Sequence, residues 1–399
     1  MKTPFNGRAP SFDAQAINEI IRNALASAGL DTTAGPMRGV TETIRRALSS
    51  EGIPTSTRVI VPSENVVDVV ARVVNIPKND DVGPTRRPFQ DGPKAPVGTF
   101  AAFEHANGAG VRGYKLYVPA LVGVSPPPLL VMLHGCTQSA DDFAAGTRMN
   151  RLADEHGFLV VYPEQASSAN PSKCWNWFKS QDQVRDSGEP SLIAGIVRDV
   201  AARHGVDMSR IFVAGLSAGA AMAVILGETY PDLFAAVGAH SGLPYRSAHD
   251  IPSAMAAMKG GRSGIASLKR AQGANAAPRG KVAQAVPTIV FHGDRDHTVQ
   301  HANGIEIVQQ AKHAYAAAEP ERSMTDSVER GTSPGGRSFS RTVHVDAAGR
   351  TRVESWTVHG AGHAWAGGSE SGTYTDARGP DSSAEMVRFF LSLPRAGSA

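Results

Sequence analysis

Residues Arg210 to Leu226 read RIFVAGLSAGAAMAVIL. Ile211, Phe212 and Val213 form a short apolar run of the kind that makes a buried parallel strand. Gly215-Leu216-Ser217-Ala218-Gly219 follows at once, and then an Ala-rich stretch with helical character up to Glu228. This is G-x-S-x-G between a strand and a helix, the context in which the pattern has a mechanism. The turn is tight and strained, so the positions two before and two after the serine must be small, as Gly215 and Gly219 are. Such a turn lifts the Ser217 hydroxyl clear of a sheet. It also leaves the Ala218 N–H at a helix N-terminus, where a developing oxyanion can sit.

Outward from this turn, the chain alternates strands and helices. Asn107-Gly108 marks a hairpin between Thr99–Glu104 and Arg112–Val118. Leu129 to Leu133 reads as a buried strand, Met149 to Glu155 as a helix and Phe158 to Tyr162 as the next strand. Leu192 to His204 has helical periodicity at Leu192, Ile193, Ile196, Val197 and Val200. Strands follow at Ala235–Ala239, Thr288–Phe291 and Arg352–Val358. This rhythm predicts an α/β fold with a mostly parallel sheet covered by helices on both faces. The stretch Met255–Gln284, rich in Gly, Ala, Lys and Arg, interrupts it and reads as an insertion over the sheet's C-terminal edge.

A serine hydroxyl needs an imidazole to take its proton and a carboxylate to hold that imidazole. With a G-x-S-x-G turn the partners follow in the order serine, acid, histidine. The strand Thr288–Phe291 runs into His292-Gly293-Asp294-Arg295-Asp296-His297-Thr298-Val299, where Asp294 or Asp296 could serve. Asp296 is the better choice, because it stands after the turn and not in it. His363 lies in a glycine-flanked loop, Gly360-Ala361-Gly362-His363, straight after the last strand, and is the candidate base. His134-Gly135-Cys136-Thr137-Gln138 follows Leu129–Leu133 directly, and makes the Cys136 N–H the expected partner of the Ala218 N–H in an oxyanion hole. Trp175, Trp177, Phe178 and Trp365 are candidate walls of a substrate pocket. His292, His297 and His301 with an aspartate are the one grouping that could suggest a metal. One face can hardly supply them all, so no metal and no cofactor are expected.

The segments HGCTQ (134–138), CWNWF (174–178), GEPSLIAGIV (188–197), GLSAGAAM (215–222), HGDRDHTV (292–299) and GAGHAWAGG (360–368) together resemble the short-chain polyhydroxybutyrate depolymerase and related esterase group. The resemblance runs from about residue 100 to the C-terminus. It implies an α/β-hydrolase fold, a Ser217–Asp296–His363 triad and ester hydrolysis through an acyl-enzyme. The group also includes feruloyl and acetylxylan esterases, so the resemblance leaves the ester open: a small ester or a polyester oligomer. A C-terminal polymer-binding module is not seen. A peptidase or thioesterase, or a non-catalytic binding protein on the same fold, are the competing readings. Cys136 and Cys174 flank presumed active-site loops, which invites a bridge, whereas a reducing compartment would leave two free thiols.

The remaining features set bounds. The chain has 399 residues, 41% of them hydrophobic, and a formal net charge of +3. Scattered basic residues at so small a net charge favour neither nucleic acid nor an anionic membrane as partner. No apolar run reaches the roughly twenty residues of a membrane span. Met1-Lys2-Thr3-Pro4-Phe5 leads into no apolar segment, so a cytoplasmic location is expected, or a secreted one if a leader has been removed. Residues 1–98 differ from the rest. Ile17–Gly29 (INEIIRNALASAG) and Val40–Gly52 (VTETIRRALSSEG) read as two related amphipathic helices, each closed by a glycine. They would pack on the catalytic body or mediate self-association or granule attachment. Residues 77–98 read as a linker into a catalytic domain at 99–399.

Overall fold

A computed structural model describes residues 98–120, 123, 125–260, 285–319 and 323–394. The expected helix pair in residues 1–98 lies outside the described residues, as does most of the expected insertion. Of that insertion only residues 255–260 are described, the second half of helix α5 (Ile251–Met258) and the two residues after it; Asp250 and Ser253 form a capping box at the helix start.

Six parallel strands make the centre of one sheet. They are β3 (Leu129–Leu133), β4 (Leu159–Pro163), β5 (Ile211–Leu216), β6 (Ala236–His240), β7 (Thr288–Gly293) and β10 (Thr351–Val358). The hairpin β1 (Thr99–Asn107) and β2 (Gly110–Val118) joins one edge antiparallel through β4. On the other edge β10 pairs antiparallel with β9 (Ser338–Val345), and β9 with β8 (Thr325–Thr332). The strand order is therefore β1-β2-β4-β3-β5-β6-β7-β10-β9-β8. This is the α/β-hydrolase fold.

The central strands are buried on both faces, which is why they read as unbroken apolar runs. Their alternate residues divide between two cores. Leu129, Val131, Leu133, Val161, Ile211 and Val213 face α3 (Gly188–His204), α4 (Ala218–Thr229) and α6 (Ala302–Ala318). Leu130, Met132, Val160, Phe212 and Ala214 face α1 (Ala140–Thr147), α2 (Met149–His156) and α7 (Ser382–Ser392). The strands β8 and β9 were not anticipated. All but one residue of β8 are exposed, so its sequence TDSVERGT carries no alternation to read. No described helix is long and apolar enough to cross a membrane.

The register places the site. Leu133 on β3 lies opposite Gly215 on β5, so the segments leaving these two strands run side by side. The segments after β7 and β10, which also pair in parallel, leave from the same end of the sheet.

Candidate active site

Ser217 sits between β5 and α4 with φ 57° and ψ −119°, in the strained region that the nucleophile turn demands. The flanking glycines are there for space. A Cβ on Gly215 would stand 2.5 Å from the Gly219 carbonyl, and one on Gly219 would stand 2.1 Å from the Leu133 oxygen. The Ser217 N–H donates to the His240 carbonyl at 2.9 Å, tying the turn to the end of β6.

Asp296 and His363 meet, with His363 Nδ1 2.7 Å from Asp296 Oδ2. The other carboxylate oxygen accepts the Thr298 and Val299 N–H groups at 2.9 and 2.8 Å. Burial pushes the Asp296 carboxyl up, but hydrogen bonds from His292 and His363 outweigh it and hold it well below the usual carboxylate range. Asp296 is therefore ionised, and the His363 Nδ1–H donates to it, leaving Nε2 bare. Asp294 has a separate partner: it accepts from His359 Nδ1 at 2.8 Å and from the Gly360 N–H at 2.7 Å. It thus fixes the start of the loop that carries His363.

His240 joins this loop to the serine turn. Its ring is stacked on Trp365 at 5.1 Å and on Phe291 at 5.8 Å. Its Nε2 accepts the Ala366 N–H at 2.9 Å, so the ring must be neutral with its proton on Nδ1. Burial lowers its pKa to about 3, which keeps it neutral across the ordinary pH range. Nothing in the sequence distinguishes this histidine from the other twelve, and only the packing shows its place.

The loop 134–138 is held at many points. The His134 Nε2 accepts the Gln165 N–H at 3.0 Å, and its Nδ1–H donates to the Gly135 carbonyl at 2.7 Å. The Gln138 side chain accepts the Gly135 N–H at 2.9 Å and donates to Asp142 at 2.7 Å. The Thr137 N–H donates to the Ser172 carbonyl at 2.8 Å. Cys136 is disulfide-bonded to Cys174, which closes the question the sequence left open. For a sequence separation of 38 the chain-entropy cost removed from the unfolded state is roughly 4 kcal/mol. Titration of denatured, unreduced protein is expected to find no free thiol; two free thiols would contradict the bridge.

The four aromatic candidates separate. Trp175 is 0% and Trp365 1% exposed, so neither can wall a pocket open to substrate, and that expectation is corrected. The Trp175 Nε1–H donates to the His134 carbonyl at 3.1 Å and the Trp365 Nε1–H to Ser383 Oγ at 2.9 Å. Each ring anchors a loop. Trp177 is also buried, edge-on to the half-buried Phe178. Tyr374, which the sequence reading passed over, is exposed, and its hydroxyl lies 3.2 Å from Thr137 Oγ1 beside the 134–138 loop. It sits outside any regular element, so no periodicity marked it. The three histidines considered as metal ligands go elsewhere: His292 Nε2 donates to the Val299 carbonyl, His301 Nε2 lies by Thr357 Oγ1, and His297 is exposed. Among the described residues no group of three or more His, Cys, Asp or Glu could hold a metal ion.

The fold and the strained serine turn thus define an α/β-hydrolase with a serine at its nucleophile position. Sequence comparison carries this further: the chain belongs to the esterase PHB depolymerase family, whose signature matches residues 112–323. It is 37% identical over 241 residues to poly(3-hydroxyalkanoate) depolymerase C of Paucimonas lemoignei, covering 59% of this chain and 54% of that protein. To the poly(3-hydroxybutyrate) depolymerase of Ralstonia pickettii it is 28% identical over 296 residues, covering 70% and 57%. To acetylxylan esterase A of Emericella nidulans it is 31% identical over 204 residues, 50% of this chain and 66% of that one. The chain spans a little over half the length of the two depolymerases it matches. Among solved structures, the acetyl xylan esterase from Aspergillus awamori superposes with a TM-score of 0.56 at 20% identity, over 73% of this chain and 99% of that one. That likeness concerns the fold alone. His363 lies beyond the matched residues 112–323, so its place rests on the geometry above.

Proposed function

We propose that this chain is a cofactor-free serine ester hydrolase acting on short-chain hydroxyalkanoate esters. The observation that carries the reading is the hydrogen bond between the buried Asp296 and the partly buried His363, at the end of the sheet from which the strained Ser217 turn also leaves. Ser217 Oγ attacks the ester carbonyl while His363 Nε2 takes its proton. Asp296 stabilises the imidazolium and keeps the Nδ1 proton pointed at itself. The carbonyl oxygen becomes an oxyanion facing the Cys136 and Ala218 N–H groups. Collapse breaks the ester C–O bond, and His363 returns the proton to the leaving alkoxide. Water, deprotonated by the same ring, then releases the acid and restores Ser217.

The depolymerase relatives support a hydroxyalkanoate ester as substrate. The acetylxylan esterase likeness supports a second reading, deacetylation of a carbohydrate. The Cys136–Cys174 bridge favours work in an oxidising compartment over the cytoplasm. We assign catalysis to residues 99–399, and self-association or granule attachment to 1–98.

A panel of p-nitrophenyl acyl esters, 3-hydroxybutyrate oligomers and acetylated xylan tests this on the full chain and on one starting near Pro93. The expected result is hydrolysis of the hydroxybutyrate oligomers and short acyl esters by both. Preference for acetylated xylan would move the assignment to the second reading. Hydrolysis of no ester would refute the enzyme. A shortened chain without activity would show that residues 1–98 belong to the catalytic body.

A further inference from the structure

The segments GEP (188–190) and CWNWF (174–178) take no part in the chemistry above, yet they meet directly behind the 134–138 loop. Gly188 opens α3 at φ 51°, and a Cβ there would stand 2.0 Å from Asp182 Oδ1, so a side chain at this point would be strained and would displace the Asp182 carboxylate. Pro190 fits the first helical turn, where no N–H is needed. Between them Glu189, 4% exposed, turns its carboxylate into the protein.

That carboxylate is fully engaged. Oε2 accepts the Asn176 backbone N–H at 2.8 Å, and Oε1 accepts Asn176 Nδ2 at 2.7 Å. Oε1 also accepts from Gln165 Nε2, with Arg112 Nη2 3.7 Å away. Gln165 is 0% exposed and passes the connection on. Its Nε2 donates to the Cys174 carbonyl at 2.9 Å, its Oε1 accepts from Arg112, and its backbone N–H donates to His134 Nε2 at 3.0 Å. One buried carboxylate therefore holds both limbs of an arch. One limb is Cys174–Asn176, bonded through the disulfide to Cys136; the other is His134, two residues before Cys136. An apolar residue would fill this space without the cost of burying charge, so packing alone does not account for a glutamate here.

We propose that Glu189 is a positioning residue for the oxyanion hole, setting the place of the Cys136 N–H through Gln165–His134 on one side and Asn176–Cys174 on the other. The proposal rests on the reading of Cys136 N–H as an oxyanion donor. A group that acts there serves the transition state and not the bound substrate. Its loss should therefore appear in kcat and not in KM.

The test is Glu189→Gln in the full chain, which keeps the size but turns one acceptor oxygen into a donor. The expected result is a kcat on p-nitrophenyl butyrate lower by about 10- to 100-fold, less than loss of a whole oxyanion donor, with KM changed less than about threefold. Affinity for a trifluoromethyl ketone analogue of the tetrahedral intermediate should fall by the same factor as kcat. Hydrogen exchange should quicken in peptides spanning 134–138 and 173–178, and stay unchanged in α4. An unchanged kcat would overturn the proposal, as would a kcat loss with analogue affinity kept, or exchange that quickens everywhere or nowhere. Should Glu189→Gln fail to fold, Asn176→Ser removes one donor from the same carboxylate, and the same local pattern is expected with a smaller fall in kcat; no change in kcat and exchange would again overturn it. If the wild-type chain hydrolysed no ester, the serine-esterase reading would fail by that result, while the exchange arm would still decide whether Glu189 holds the loop.

Discussion

Ser217→Ala is expected to lower kcat on p-nitrophenyl butyrate by at least about 10^4-fold, with the fold retained. The expectation follows from the serine's place in the chain. Its strained backbone, φ 57° and ψ −119°, is held by the Ser217 N–H to His240 hydrogen bond and by glycines that alanine at 217 does not touch. The side chain alone is removed, so structure should survive and nucleophilic attack should not. Far-UV circular dichroism and the unfolding midpoint check the first part, and the rate checks the second. A folded variant with more than about a hundredth of wild-type turnover would be incompatible with Ser217 as nucleophile.

The second large effect is expected at Asp296. In Asp296→Asn the Thr298 and Val299 N–H groups, which now donate to Oδ1, will keep an oxygen at that position. The new amide NH2 must then face His363 Nδ1, where it can only donate. The ring is driven to carry its proton on Nε2, the tautomer that cannot accept from a serine hydroxyl. A fall in kcat of about 10^3- to 10^4-fold is expected. Asp294→Asn should cost less than about tenfold, since that carboxylate meets His359 and Gly360 and not His363. Steady-state kinetics on both variants discriminates them; reversed magnitudes would transfer the role of acid to Asp294.

These two residues also show what a sequence can and cannot reveal. The strained serine turn, the central strands and the meeting of Asp296 with His363 were legible because each rests on a local constraint: small residues about a tight turn, burial on both faces, a loop after a strand. The choice of Asp296 over Asp294 came from its position after the turn, and the separate His359 partner of Asp294 was not foreseen. The tryptophans misled because an aromatic ring beside a site motif suits a pocket wall and a buried brace equally well. Trp175 and Trp365 are braces. The Glu189 network could not be read, because Arg112, Gln165 and Asn176 come from separate stretches of chain and converge only in the fold. The edge strand β8 was invisible for the opposite reason: with little to bury, it carries almost no pattern.

The central claim is that an acyl group passes through Ser217. It is tested most directly by treating the full chain with a fluorophosphonate, which reacts with an activated serine, and mapping the adduct by peptide mass spectrometry. The account predicts one stoichiometric adduct on the peptide containing Ser217, parallel loss of esterase activity, and no adduct in Ser217→Ala. An adduct on a different residue, or esterase activity that survives full labelling of Ser217, would contradict it.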